Sequence, residues 1–585
     1  MAATPDLTQG FMQSMAQLTP VASLLGGAAI AVLLDLRKNE NLRAFLPFVA
    51  LLALLMAISS LFSQLASVPA QGFLVATGSL RLDGFSLWIS VVIAIGAGVA
   101  VLAVSGRESM SAPGKPGVLL QKPPPAEYYA LLLTAAAGAM LLTMANDLIT
   151  ALVALETLSI PTYVLCASNP HRRTSAEAGM KYFMTGAFST GFLIFGAVFF
   201  YGATGSLSLS PEKWLAFDPF YNTLFLARGQ GPNAAALGAT PFFFYAAMAL
   251  LFVGFLFKVG GVPFQQWVPD VYAGAPTAVT NFMATVVKAA AFAFLARLAL
   301  GVFSTDTLAE VGRQIGRLQP IAGVDPDRQA QVHTLVQFQD RMKDFVSLWQ
   351  NMLWFLAAAT MILGNTIGLV QTNIKRMLAY SAIAHSGYLL MGVMSLVSAL
   401  PNHATTQGVE QGIVFYLLSY ALAAGGAFGV IGLVRRSGRE LNTLDDFRGL
   451  ARERPGIALA MTFFMLSLAG FPPFGGFIGK FMVFRGALDA GFGTLAVLAI
   501  ITTIVSVYYY LGPVIMMYMK PPAGLEPDPF APPDEHGQVA LAGDVIADPL
   551  AEPAWGPNVL ITCCAVGILA IGIFAQVILS HMAMV

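Results

Sequence analysis

Apolar positions dominate the chain as long uncharged runs, separated by short polar or Gly/Pro-rich connections. About 20 consecutive apolar residues carry a helix across the hydrocarbon core of a bilayer. Such runs stand near 17–36, 45–66, 84–104, 127–144, 147–167, 180–202, 241–261, 277–301, 347–370, 377–399, 411–434, 456–484, 491–519 and 557–580. They predict an all-α polytopic membrane protein with about fourteen transmembrane helices. Two runs are interrupted: GFLFKVGGVPFQQW (254–267) and GFPPFGGFIGKFMVF (470–484) each set glycine and proline beside a lysine. Glycine weakens a helix and proline removes a backbone donor, so spans 7 and 12 are expected to break near the membrane middle.

Composition supports the membrane reading. Only 11% of the 585 residues are charged and 57% are apolar, against about 25% charged in a soluble domain. The net charge of zero says nothing in favour of a nucleic-acid partner. Fifty-six glycines suit closely packed membrane helices. Cys166, Cys563 and Cys564 form no CxxC, so packing is expected of them and neither a disulfide framework nor a metal site. No basic residue precedes the first apolar run, which is therefore read as an uncleaved first helix. GGFIGKF at 475–481 has the wrong glycine spacing for a phosphate loop, and no Ser or Thr follows Lys480. The chain is expected to hold no redox centre or nucleotide of its own.

Orientation follows from Lys and Arg in the short connections. Those after spans 1, 3, 5, 9 and 11 carry Arg37-Lys38-Arg43, Arg107-Lys115-Lys122, Arg172-Arg173-Lys181, Lys375-Arg376 and Arg435-Arg436-Arg439-Arg448-Arg452-Arg454. These connections are assigned to the cytoplasm and both termini to the other side. The connection Gly301–Val346 is mixed in charge and long, so it weighs less. Lys520–Pro557 is Pro-rich and acidic and reads as a solvated cytoplasmic linker. Leu207–Thr240, on the outer face, carries no usable motif.

Charges inside the runs are the candidate chemistry. Lys258, Lys288 and Lys480 stand far from the ends of their segments, where a lysine costs roughly 3 kcal/mol on insertion scales. Glu156, in ITALVALETLSIPTYVL, must find its partner on another helix. Opening a Glu–Lys pair from about 4 to 8 Å at an effective dielectric of 20 changes the attraction by roughly 2 kcal/mol. That is enough to make a lysine give up its proton, so a Glu156–lysine pair would be a switch. A single buried ion pair is often only structural, but three separate lysines ask for more than one salt bridge. Paired broken segments also mark ion pathways in transporters built from repeats. His385, in YSAIAHSGYLL, is well inside a span and is a candidate relay as well as an ordinary packing residue. Asp270 is expected to cap the next helix or hold a loop cation.

Three stretches carry a family resemblance: VPFQQWVPDVYAGAPTAVTNFMATVVKAAAF, VQTNIKRMLAYSAIAHSGYLLMGV and MLSLAGFPPFGGFIGKF. They resemble the antiporter-like membrane subunits of respiratory complex I, over about residues 80–520. Within that family the lysine in GFIGKF and the stretch SVYYYLGPVIMMYM are similar to the N type. The M type typically has glutamate where Lys480 stands, and the L type continues into a long lateral helix. The resemblance implies fourteen helices with two inverted five-helix repeats and broken helices 7 and 12. It implies the division 1–126 (helices 1–3), 127–301 (first repeat), 302–346 (outer loop), 347–519 (second repeat), 520–556 (acidic cytoplasmic loop) and 557–585 (last helix). It gives Glu156, Lys258, Lys288 and Lys480 proton-transfer roles, to which the position of His385 inside a span adds a candidate bridge. It further implies that NADH, FMN, iron–sulfur clusters and quinone belong to other subunits. The implied partners are an M-type neighbour and small membrane subunits, in the bilayer of the cell inner membrane. A stand-alone cation/proton antiporter subunit and a purely structural membrane subunit are the alternatives.

Overall fold

The protein is described from a computed structural model, over residues 15–36, 40–69, 72–105, 124–169, 172–210, 240–303, 326–398, 403–436, 439–440, 442–522 and 555–583. Every apolar run coincides with helix. In order these are α1 (Thr19–Asp35), α2 (Leu46–Leu65), α3 (Gly84–Val104), α4 (Ala126–Met144), α5 (Leu148–Cys166), α6 (Arg173–Thr204), α7 (Thr240–Val259) and α8 (Trp267–Gly274). Next come α9 (Thr277–Phe282), a π-helical turn (Met283–Val287) and α10 (Lys288–Phe303), which together form one span. The second half holds α11 (Pro326–Gly368), α12 (Ile374–Ser398), α13 (His403–Leu433), α14 (Pro455–Ala469), α15 (Gly475–Asp489), α16 (Gly493–Met519), α17 (Trp555–Ile573) and α18 (Ala575–Ala583). Among the described residues twelve helices are long and apolar enough to cross a membrane, and α1 and α14 are shorter apolar helices.

Local chemistry sets the helix ends. Asp83 caps α3 in a reciprocal box with Ser86, and Asp147 caps α5 by accepting from the Thr150 amide. Each cap satisfies a donor that the first helical turn leaves free. Both expected breaks are present. α7 stops at Val259, where Gly260 has φ +69°, and α14 stops at Ala469, where Gly470 has φ +92°. Only glycine adopts such angles readily. The two lysines are not placed alike, however: Lys258 lies in the last turn before its break, and Lys480 in α15 after the break.

Connections after even-numbered spans meet at one end of the bundle, where Leu80 bridges Ala145 and Asp147 bridges Ser208. At the other end Asn373 bridges Thr443 among the arginine-bearing connections; we call this the basic end. Helices at the centre are buried all round. The best apolar windows are 100% buried in α13, 94% in α12 and 89% in Thr277–Val302, against 33% in α6 and 39% in α16. The central helices are the ones that carry Lys288 and His385, so the site lies along the axis of the bundle.

One expectation changes. The 302–346 connection, read as loop, is helix from Pro326 onward, continuous with the span that follows. A hydropathy pattern detects membrane-crossing length, and a polar helix has none of that signal. Residues 523–554 of the acidic linker and 211–239 of the Leu207–Thr240 connection lie outside the described residues.

Candidate functional site

Lys258, Lys288 and Lys480 are all buried, at 6%, 5% and 4% exposure. None of the three has a carboxylate within ion-pair distance among the described residues. Their partners are neutral. Lys258 Nζ donates to Ser159 Oγ at 2.7 Å and lies 3.5 Å from the Tyr163 hydroxyl. Lys288 Nζ donates to the Ala382 carbonyl at 2.5 Å. Lys480 Nζ turns back onto the end of α14, donating to Leu468 O at 2.7 Å and Ala469 O at 3.1 Å. Those carbonyls are free because the chain breaks there, at Gly470. The break therefore supplies the acceptors that hold the lysine.

Aromatic faces complete each ammonium's surroundings. Lys258 lies 5.2 Å from the Tyr182 ring centre and 5.3 Å from that of Tyr163; Lys288 is 5.0 Å from Tyr420 and Lys480 5.5 Å from Tyr388. A desolvated cation–π contact is worth roughly 2 kcal/mol, less than the cost of burying the charge. These ammonium groups are consequently expensive to keep charged.

His385 occupies the space between Lys288 and Lys480. Its Nδ1 is 2.6 Å from the Tyr416 hydroxyl and its Nε2 3.0 Å from that of Tyr510, which in turn bonds Ser381. Its ring lies 4.9 Å from Tyr420 and 5.8 Å from Tyr388, the tyrosines beneath Lys288 and Lys480. One helix organises this geometry. On α12, Ala382 receives Lys288, His385 follows one turn later, and Ser386 donates to Val259 O beside Lys258. A neutral imidazole donates from one nitrogen and accepts at the other, while tyrosine and serine hydroxyls do both. The chain Ser381–Tyr510–His385–Tyr416 can therefore reverse all its hydrogen bonds together, which is what a proton relay requires.

Glu156 departs from expectation. Its Oε1 accepts from Thr190 Oγ1 at 2.6 Å and, among the described residues, makes no ion pair with a lysine. Lys258 instead reaches Ser159, one turn further along α5. Two partly buried groups on different helices meet only if the interhelical spacing allows it, and sequence carries no such distance. Asp270 departs too. It caps nothing and joins Lys181 (2.9 Å) and Arg376 (2.7 Å) at the basic end, tying α6 and α8 to α12. Burial pushes the Asp270 carboxyl up, but the hydrogen bonds and charges of Lys181 and Arg376 outweigh it and hold the group below its usual range. The tyrosines were missed, although Tyr416 and Tyr420 stand four apart on one face of α13, and Ser381, His385 and Tyr388 recur at helical spacing on α12.

Comparison with known proteins agrees with this geometry. The family described as "NADH:quinone oxidoreductase/Mrp antiporter, TM" matches residues 145–313 and 329–506, more than half of the chain. NADH-quinone oxidoreductase subunit N of Trichlorobacter lovleyi is 37% identical over 472 residues, covering 78% of this chain and 81% of the relative. The chain belongs to the subunit N family of NADH-quinone oxidoreductases. A chain of respiratory complex I from Thermus thermophilus, solved with bound aureothin, superposes on this chain with a TM-score of 0.66 at 30% identity. That match covers 96% of this chain and 98% of the other. A chain of the Mrp complex from Dietzia sp. DQ12-45-1b superposes with a TM-score of 0.70 at 19% identity, over 98% and 96% of the two chains, and shares the fold.

Proposed function

We propose that this chain is the proton-translocating N-type membrane subunit of a bacterial NADH:quinone oxidoreductase, a translocase complex of the inner membrane. NADH oxidation and quinone reduction, with FMN and the iron–sulfur clusters, belong to other subunits, and an M-type antiporter-like subunit and small membrane subunits are its neighbours. The reading takes the bundle as fourteen spans with two inverted five-helix repeats around the breaks at Gly260 and Gly470, and the basic end as cytoplasmic. Lys258 takes up a proton from that side, Lys288 receives it, and the His385–tyrosine chain passes it towards Lys480 and an exit. Glu156 acts on Lys258 through the Ser159 turn of α5. The observation that carries this reading is the set of three buried lysines held only by neutral groups and bridged by His385 and its tyrosines. A structural ion pair would have put a carboxylate beside at least one of them.

The test is Lys258→Ala in the assembled complex, reconstituted in vesicles. Proton translocation driven by NADH should fall at least tenfold, and coupled quinone reduction should fall with it. Full proton flux from assembled mutant complex would end the reading. Purification distinguishes the antiporter alternative: NADH dehydrogenase subunits should co-purify with the chain.

A further inference from the structure

A second polar space lies at the basic end, outside the lysine line. It is a cleft of about 370 Å³ whose lining includes Glu177, Lys181, Asp270 and Arg376. These four are joined in sequence by ion pairs of 2.7, 2.9 and 2.7 Å. Lys181, Asp270 and Arg376 remain 43%, 38% and 37% exposed, so the cleft is wet. Close behind it is a cavity of about 10 Å³, lined by Tyr182, Lys258, Trp267 and Lys288 among others. That is about the space of one water.

The same two helices build both spaces. On α6, Lys181 faces the cleft and the adjacent Tyr182 faces the cavity; on α8, Asp270 and Trp267, one turn apart, divide likewise. Where these two helices line the cavity they present aromatic rings. Tyr182, 1% exposed, stacks on Trp267 with centroids 4.7 Å apart and planes at 15°. Trp267 is fixed by its Nε1–H bond to Phe257 O at 3.0 Å. Tyr182 is not: its hydroxyl is buried with no hydrogen-bond partner among the described residues, and its ring centre lies 5.2 Å from the Lys258 ammonium.

We propose that the wet cleft at the basic end is the entrance by which protons reach Lys258, and that the Tyr182 ring is its gate. This deepens the reading of Lys258 as a proton carrier and rests on it. With Lys258 charged, the ring is held by both an ammonium and an indole, and the aromatic layer is closed. With Lys258 neutral, the cation–π attraction is gone and only the stacking on Trp267 remains. The ring then yields to water from the cleft. A hydronium in that water gives its proton to the neutral Nζ, leaving water and an ammonium that draws the ring back. Charging the carrier closes the door behind the proton, which blocks return to the side of entry. Asp270 takes no part in carrying the proton and keeps the cleft assembled by holding Lys181 to Arg376.

The experiment reads solvent access to the cavity in the whole complex. Met283, which lines the cavity and is buried, is replaced by cysteine, with Cys166→Ala to remove the thiol 3.4 Å from it and Cys563→Ser to remove the exposed thiol. A small water-soluble methanethiosulfonate is then applied to vesicles of each orientation. Tyr182→Leu should raise the labelling rate at Met283→Cys at least tenfold from the basic end. Tyr182→Phe, which keeps the ring, should leave it within threefold. Labelling no faster in Tyr182→Leu, or equally fast from the opposite end, overturns the proposal. In the same preparations Tyr182→Leu should at least halve the protons pumped per NADH while oxidation continues; unchanged stoichiometry also overturns it. If Lys258→Ala pumps normally, the carrier role fails, and the labelling result still decides whether Tyr182 closes the cleft.

Discussion

Lys258 gives its hydrogen bond to Ser159 and not to Glu156, which stands three residues earlier on the same helix. Ser159 is thus the direct contact of the lysine, and Glu156 stands one turn away. Removing the hydroxyl leaves a buried ammonium short of an acceptor, a loss of roughly 1–3 kcal/mol. We expect Ser159→Ala to slow proton translocation about tenfold, equivalent to about 1.4 kcal/mol, with the complex still assembled. Glu156→Gln should slow it less. Proton uptake by reconstituted vesicles, normalised to complex content, checks both.

The hydroxyls on either side of His385 give a second prediction. Tyr416→Phe and Tyr510→Phe keep the rings and remove the groups 2.6 and 3.0 Å from the imidazole. Each should cut translocation by about two orders of magnitude, the lower end of the range of a single proton-transfer group. His385→Ala should cost at least as much as either. The double tyrosine variant should be far from additive, because one broken link already interrupts the chain. Normal flux in both single variants would remove the relay.

At the end opposite the arginines, Arg297 is 8% exposed and fastens α10 to the start of α3, with contacts of 2.9 and 3.1 Å to Asp83 and 2.9 Å to the Thr143 carbonyl. Burial pushes the Asp83 carboxyl up, but Arg297, the Ser86 amide and Arg81 outweigh it and bring it below the ordinary 3.8. A carboxylate depressed on folding contributes stability that is complete above its unfolded value and is lost as pH falls through its folded value. The fold should therefore weaken below about pH 4, and Asp83→Asn should remove that part of the acid sensitivity. Arg297→Met leaves the partly buried Asp83 with only the more exposed Arg81, at 3.4 Å, at a cost of about 1–3 kcal/mol. Thermal unfolding of the detergent-solubilised chain against pH measures both effects.

Close packing supplies a fourth. A Cβ at Gly138 of α4 would stand 2.6 Å from the Leu158 amide nitrogen on α5, and backbone cannot move aside as a flexible side chain can. Gly138→Ala should force the two helices apart and cost about 1–3 kcal/mol. The expected result is a reduced yield of assembled subunit on native gels. Gly98, whose added Cβ would meet nothing within 4 Å, is the matched control for alanine.

Run length and buried charge were legible in the sequence because each is a local property. The breaks at Gly260 and Gly470 were legible from Gly and Pro beside the lysines. Partnerships were not. Glu156 and Lys258 lie on separate helices, and nothing in either segment states their distance. Asp270 is expected from sequence to cap the next helix or hold a loop cation because it stands in a Gly/Pro-rich bend, yet its partners come from α6 and α12. Tyr416, Tyr420 and Tyr510 passed as apolar filling, since a tyrosine in a membrane helix advertises its ring and conceals where its hydroxyl points.

The π-helical turn Met283–Val287 ends directly before Lys288. Such turns carry one more residue than the α-helix around them, and each residue of an α-helix adds about 100° of rotation. The direction in which Lys288 points is thus fixed by a count of residues upstream of it. A lineage that lost one of those five positions would keep every functional side chain in its sequence. It would still aim Lys288 at a different neighbour, away from Ala382.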